Sequence, residues 1–256
     1  MPPNFAEYYD AILNWDKRLA REMPLLEGLA RRAGSRVLIP ACGTGGHIVA
    51  LAQRGFHVLG FDTDEGAVEF TRRRIDSASN SVVAAGGEAR VALLKMEGSH
   101  RLGATHDVAF CLGNALPGLS SPGQLLAALR GVAGALRPGG TFLTQNLNYD
   151  LRWREKLPWF PLLSGETSQE EVLLVKFADY ATEFINFHAM FLTREKPAGK
   201  WQAHIRSNRQ LPLFRARLAE LLTQAGFADL HFWGDFAKSP FDPEKSNDLL
   251  VCGTRV

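Results

Sequence analysis

Hydrophobic positions in the first 150 residues alternate between two periods. Short apolar runs at 36–40, 57–61, 90–95, 107–112 and 141–146 predict strands, and amphipathic stretches at 47–54, 64–76 and 122–136 predict helices between them. Ser121-Pro122 marks the start of the last helix, a capping hydroxyl followed by proline at the first helical position. Ahead of the first strand, Trp15, Leu19, Met23 and Leu26 recur at helical spacing, with a stop at Gly34. Residues 1–34 therefore predict one or two helices. Alternation of strand and helix implies a parallel sheet covered on both faces, with ligands beyond the carboxyl ends of its strands.

The pattern changes after Asp150. Ile185, Phe187, Ala189 and Phe191 alternate with Asn186, His188 and Arg194. After the turn Pro197-Ala198-Gly199-Lys200, Trp201, Ala203 and Ile205 alternate with Gln202, His204 and Arg206. That is a hairpin, to which Glu171 to Tyr180 adds a third strand. An antiparallel insert over 151–211 is too long for a plain connection and is expected to cover the ligand crevice. A helix from Leu213 and strands near 229–234 and 248–253 close the sheet, so 1–256 reads as one domain with a 35–150 core and a 212–256 closing segment.

The richest segment is Val37-Leu38-Ile39-Pro40-Ala41-Cys42-Gly43-Thr44-Gly45-Gly46, an apolar strand running into a glycine turn ahead of a helix. Such a turn can hold a nucleotide-like group against main-chain N–H donors. A dinucleotide fingerprint wants a third glycine where this chain has Ile48, which counts against a nicotinamide-dependent oxidoreductase without removing it. Asp62 ends the second strand seventeen residues beyond Gly45, placed to accept bonds from vicinal ribose hydroxyls. Asp64 is the better helix cap.

Ala41-Cys42-Gly43-Thr44-Gly45 with Asp62 resembles the class I S-adenosylmethionine-dependent methyltransferases. Asp107 to Asn114 looks like their fourth strand, Leu136-Arg137-Pro138-Gly139-Gly140 like the turn before their fifth, and Ala225-Gly226-Phe227 like the turn before their sixth. The resemblance implies a doubly wound, mostly parallel seven-stranded α/β sheet, a Rossmann-like methyltransferase fold, with the antiparallel β insert after strand five. It implies S-adenosyl-L-methionine as cofactor, with Ala41, Gly43 and Gly45 facing its methionine part, Asp62 its ribose, Met96 and Glu97 its adenine, and the Leu112 carbonyl its ammonium. Ile39 stands where many members carry an acid. A protein that binds cofactor without catalysis is a third possibility on that ground.

Ala41 to Gly45, Cys111-Leu112-Gly113-Asn114 and Asn148-Tyr149-Asp150 look most like the glycine and sarcosine N-methyltransferases. That resemblance implies Arg18, with Arg21 as alternative, on the cofactor carboxylate, and Asn114 on the substrate side. Tyr8 or Tyr9 could drape a phenol over the methyl site. Asn114, Tyr149 and Tyr9 are the catalytic candidates, and Tyr8, Asn114, Asn148, Arg206 and Arg209 the substrate contacts. His188, His204, Arg206 and Arg209 share the expected polar face of the insert, where a general base or a carboxylate fork could lie. An amine acceptor is favoured by the resemblance. Oxygen and sulfur remain open, since Ile39-Pro40 also resembles thiopurine and halide methyltransferases. No Asp/Asn-Pro-Pro-Tyr element points to planar nitrogens.

A formal net charge of +2 argues against a protein dominated by nucleic-acid contacts, and 46% hydrophobic residues suffices for one packed core. Arg31-Arg32 and Arg72-Arg73-Arg74 are expected late in helices on solvated faces. Cys42, Cys111 and Cys252 are dispersed, which fits reduced thiols rather than disulfides or a metal site. With no signal-peptide pattern and no bilayer-length apolar run, a cytoplasmic protein acting on a small molecule, without a membrane partner, is expected. Oligomeric state is not legible.

Overall fold

The computed structural model describes residues 5–119 and 121–256. Two helices come first, α1 (Phe5–Ile12) and α2 (Trp15–Ala33). The core then runs β1 (Arg36–Pro40), α3 (Gly46–Ala52), β2 (His57–Asp62), α4 (Glu65–Ala84), β3 (Glu88–Leu93), β4 (His106–Cys111), α5 (Pro122–Ala135) and β5 (Leu136–Leu147). After α6 (Tyr149–Glu155) come β6 (Leu163–Glu166), β7 (Glu170–Tyr180), β8 (Ile185–Glu195) and β9 (Gln202–Gln210). The chain closes with α7 (Arg215–Gln224), β10 (Phe227–Trp233) and β11 (Asp248–Arg255).

Seven strands form one sheet in the order β10-β11-β5-β4-β1-β2-β3, and β6 to β9 form a separate antiparallel sheet in chain order. Within the large sheet, β3, β2, β1, β4 and β5 run parallel and β11 runs against β5. The chain leaves β1 in one direction toward β3, then returns to β4 on the other side. The carboxyl ends of β1 and β4 therefore flank the reversal point, where a crevice must open.

Local signals explain the elements. Asn14 caps α2 by accepting from Lys17 N at 2.9 Å, Asp64 caps α4 through Ala67 N at 3.0 Å, and Ser121 caps α5 through Gln124 N at 3.2 Å. β1 and β4 are buried on both faces and read as continuous apolar runs. One face packs Leu125, Leu129, Leu218 and Leu222 against Phe142 and Phe227, and the other packs Leu26, Leu29, Ile48 and Leu51 against Val37 and Leu143. Ile48 stands where a dinucleotide fingerprint has its third glycine. Ile48 is wholly buried, and a Cβ at Gly60 of β2 would collide with its side chain, so the close approach of α3 to the sheet is made at the strand.

Four expectations need correction. The helix expected over 64–76 continues to Ala84, so Arg72-Arg73-Arg74 lies mid-helix, and Arg74 turns inward to donate to Asp10 Oδ2 at 2.8 Å and Thr44 O at 2.9 Å. Helix α6, absent from the periodicity, follows directly on β5. Strand β6, also unexpected, pairs with β7. Finally, β9 pairs with β8 so that Asn208 lies opposite Phe187 and Arg206 opposite Ala189. Opposed residues share a face. The polar row His204, Arg206, Asn208 and Gln210 thus lies with Phe187 and Ala189, while Ile205 turns outward and is exposed. Among the described residues, no helix is long and apolar enough to cross a membrane.

Candidate active site

The crevice at the reversal point holds three adjoining cavities. The first, about 240 Å³, is walled by Tyr9, Trp15, Arg18, Ala41, Gly43 and Leu112, with Asp62 at its edge. The second, about 360 Å³, shares Ala41, Asp62 and Ala115 with it and is lined by Leu94, Met96, Glu97 and Leu119. The third, about 570 Å³, meets the first at Tyr9, Leu13, Arg18, Gly113 and Ala115 and extends to Asn114, Lys176, Phe187 and Gln210. Two cavities thus form a continuous slot across the ends of β1, β2 and β3, and the third opens from the slot toward the insert.

The glycine turn shapes the slot. Gly43 and Gly45 have φ of 56° and 78°, a region costly for residues with a Cβ. An added Cβ at Gly43 would meet nothing within 4 Å, so its backbone is open to the cavity, whereas one at Gly45 would lie 2.5 Å from Thr71 Cγ2. Gly45 therefore shapes the turn from behind. It is not among the residues lining the slot, against the expectation that it faces the ligand. Asp62 binds the turn to the second strand. Its Oδ2 accepts from Gly43 N at 2.9 Å, and its Oδ1 from Thr63 N at 2.7 Å and Asp64 N at 3.1 Å. Because Asp64 caps α4, Asp62 is free of that duty.

Helix α1 closes over this turn. Asp10 accepts from Trp15 Nε1 and Thr44 Oγ1, each at 2.7 Å, as well as from Arg74. This latch sets Tyr9 at the junction of the first and third cavities, while Tyr8 points elsewhere. The Tyr8 hydroxyl donates to Glu170 Oε2 at 2.7 Å, its ring packs near Phe191, and burial together with Glu170 pushes its phenol up to about 12. Tyr8 fastens α1 to the insert and is withdrawn as a substrate contact.

Arg18 lines both the first and third cavities, whereas Arg21 lines only the third, which favours Arg18 as the group reaching the slot. Behind Arg18 lies Glu22, almost fully buried and bonded to Arg18 Nε at 3.2 Å, Arg21 Nη2 at 2.7 Å and His47 Nε2 at 2.7 Å. Burial pushes the Glu22 carboxyl up, but the His47 hydrogen bond, the Arg18 charge and the Arg21 hydrogen bond outweigh it and hold it at about 2. Burial drives His47 the other way, toward its neutral form. The positive charge facing Glu22 at neutral pH therefore comes from the guanidinium groups, with His47 as a neutral donor.

At the end of β4, Asn114 adopts φ 62° and borders the third cavity. Its Oδ1 accepts from Leu147 N at 3.0 Å, and its Nδ2 donates to Tyr149 Oη and Gln210 Oε1, both at 2.9 Å. The Tyr149 hydroxyl donates to Gln210 Oε1 at 2.6 Å. Tyr149 is wholly buried and lines none of the three cavities, and burial raises its phenol well above the usual range. It positions Asn114 from behind rather than touching an acceptor. Asn148 is likewise withdrawn as a substrate contact. It is buried, caps α6 by accepting from Leu151 N at 3.2 Å, and donates to Ser246 O at 2.8 Å. Tyr149→Phe is expected to leave a buried amide pair short of a partner and to cost about 1–3 kcal/mol, read by denaturant unfolding. An unchanged midpoint would contradict the bonded trio.

Two expected substrate arginines also lie elsewhere. Arg206 sits over the Phe5 ring and pairs with Asp64 at 3.5 Å, and Arg209 stacks on Phe184 at 3.9 Å. Neither lines the third cavity. His188 borders it, but its ring nitrogens are engaged by Ser207 Oγ at 2.7 Å and Asp179 Oδ2 at 3.0 Å. The three cysteines are free and buried, with burial pushing the Cys111 thiol up to about 12 and Cys252 to about 11. Among the described residues, no cluster of His, Cys, Asp or Glu could hold a metal.

Residues 37–140, the span from β1 into β5 that builds the slot, match the family described as Methyltransferase domain. Over 245 residues the chain is 24% identical to a glycine/sarcosine N-methyltransferase of Aphanothece halophytica, covering 92% of this chain and 82% of that protein. It is 31% identical over 144 residues to a glycine N-methyltransferase of Mus musculus, covering 52% of this chain and 47% of that protein, about half its length. Its fold matches that of the CcbJ methyltransferase from Streptomyces caelestis with a TM-score of 0.67 and 21% identity, covering 100% of this chain and 97% of that one. The domain match, the relatives and the fold together support a class I S-adenosylmethionine-dependent methyltransferase.

The methyltransferase's slot fits its cofactor. An open glycine backbone and a guanidinium stand at one end, a carboxylate at the middle, and apolar Leu94 and Met96 at the other. Those chemistries suit an amino-acid group, a ribose and a purine in turn. Sequence reasoning missed Glu22, Gln145, Lys176 and Gln210. Gln145 accepts from Gly113 N at 2.7 Å and donates to Asp248 at 2.8 Å, fixing the β4 loop. Lys176 did carry a signal, because it interrupts the apolar row Val172, Leu174, Ala178 on β7.

Proposed function

We propose that this enzyme transfers a methyl group to an amine nitrogen of a small molecule held in the 570 Å³ cavity. The observation carrying this reading is the meeting of that cavity with the cofactor slot at Tyr9, Arg18 and Gly113. The N-methyltransferase names of the relatives support nitrogen as the acceptor. Within the slot, Arg18 would hold the cofactor carboxylate, the Gly43 backbone and Leu112 carbonyl its amino-acid end, Asp62 its ribose, and Met96 and Glu97 its adenine. When bound, S-adenosylmethionine supplies an electrophilic sulfonium methyl group.

The chain's own part is positioning and exclusion of water. Tyr9 on α1 stands over the junction, Asn114 presents its loop to the acceptor side, and the inner face of the insert forms the far wall. The insert, 151–211, and the N-terminal segment from residue 5 to 34 act as covers on the 35–150 core within a single domain. Turnover of 13C-methyl-labelled cofactor with a panel of small amines, phenols and thiols tests the acceptor class. A product methyl resonance at an N–CH3 position is expected, and an exclusive O–CH3 or S–CH3 product would overturn the assignment.

A further inference from the structure

Strand β7 lays Val172, Leu174, Lys176 and Ala178 along one face of the insert. Val172 and Leu174 are buried against α1, and Ala178 against the main core. Between them, Lys176 meets the acceptor cavity opposite Ala189 and beside Phe187. Its Nζ stands 5.2 Å from the centroid of the Phe160 ring. Among the described residues it has no hydrogen-bond or ion-pair partner.

The surrounding charges do not favour an ammonium there. Helix α2 contributes Arg18, Arg21 and Glu22, helix α1 contributes Tyr9, and β8 contributes His188, whose ring is held by Asp179 and Ser207. Arg152 adds a further positive charge from α6. Among the described residues, Glu22 is the one carboxylate lining the cavity, and Arg18, Arg21 and His47 already occupy it. Burial first, then Arg152 and Arg18, push the lysine downward from its ordinary range.

We propose that Lys176 is the general base of the reaction, its neutral amine taking a proton from the acceptor nitrogen. The inference rests on the amine reading above and adds the group that makes the amine reactive. An acceptor in its ammonium form has no lone pair to offer. Its N–H bond breaks, the proton moves to Nζ, and the electron pair stays on the acceptor nitrogen. That pair forms the new C–N bond while the C–S bond breaks with its electrons left on sulfur. Lys176 then returns its proton to water.

Lys176→Met and Lys176→Arg test the assignment together, because arginine keeps a positive charge but cannot serve as a base. Both variants are expected to lose about 100-fold in kcat/KM near neutral pH, with S-adenosylhomocysteine affinity within about threefold of the parent. Their rates should climb with pH toward the acceptor's own pKa, where the wild type has already levelled. Near-full activity in Lys176→Arg would make the residue an anion clamp, and a wild-type pH profile in Lys176→Met would remove it from catalysis. Independently of any acceptor, a 13Cε titration of the lysines, with Lys176→Arg for assignment, should show one midpoint below the ordinary value of 10.5. A Lys176 midpoint at or above that value overturns the proposal. A low midpoint together with exclusive O- or S-methylation instead overturns the amine reading and leaves the base in place.

Discussion

Glu22→Ala is expected to destabilise the protein by about 3–5 kcal/mol, because it removes the buried carboxylate that pairs with the largely buried Arg18 and accepts from the buried His47 ring. The Glu22 side chain is 2% exposed, and His47 beside it only 6%. Arg18, at 19%, would lose its Nε partner as well. A loss of that size is a large share of the ~5–15 kcal/mol typical of a folded domain. Urea unfolding of the variant should show a clearly lower midpoint, and an unchanged one would contradict the hub. The same cluster sets an acid limit on the fold. Glu22 has its folded pKa lowered from 4.5 to about 2, so its contribution is present above 4.5 and is lost as pH falls toward 2. His47 is also lowered, from 6.5, so the unfolded chain takes up its proton first and stability declines as pH drops below 6.5. Both groups make acid destabilising.

The second large effect is expected at Asp62. Replacing it with alanine removes the carboxylate assigned to the ribose hydroxyls and also releases Gly43 N, which it holds at 2.9 Å. Charge-assisted bonds of this kind are worth roughly 2–4 kcal/mol together, or about 30- to 1,000-fold in affinity. Calorimetry with S-adenosylhomocysteine reads the change directly. Affinity equal to the parent's would reduce Asp62 to a turn-forming residue, since its Oδ1 already serves Thr63 N and Asp64 N.

The cofactor half of the site was legible because it lies where local rules act. Val37 to Pro40 is apolar without interruption since both sheet faces are covered, and the glycine turn follows at once. Asp62 and Asp64 could be told apart because only Asp64 stands at the capping position of α4. The acceptor half depends on pairing register and on where β5 ends. Alternation shows which residues of β9 share a face but not which face meets Phe187 and Ala189 of β8. The register brings Gln210 to the cavity while sending Arg206 to Asp64. Likewise, Asn148 and Tyr149 stand at the tip of β5 as expected, but α6 starts there and buries both. Tyr9 and Arg18 line the cavity beside the turn that the sequence already marked, and Asn114 lines the one that adjoins it.

A structure of the protein with S-adenosylhomocysteine tests the account most directly. The amino-acid end is expected in the cavity of about 240 Å³ against Arg18 and Gly43, and adenine in that of about 360 Å³ beside Met96. Sulfur should sit at the junction with Tyr9 and Gly113, facing Asn114 and Lys176 across the third cavity. Sulfur turned away from that cavity, or adenine seated outside the Leu94–Glu97 pocket, would contradict it.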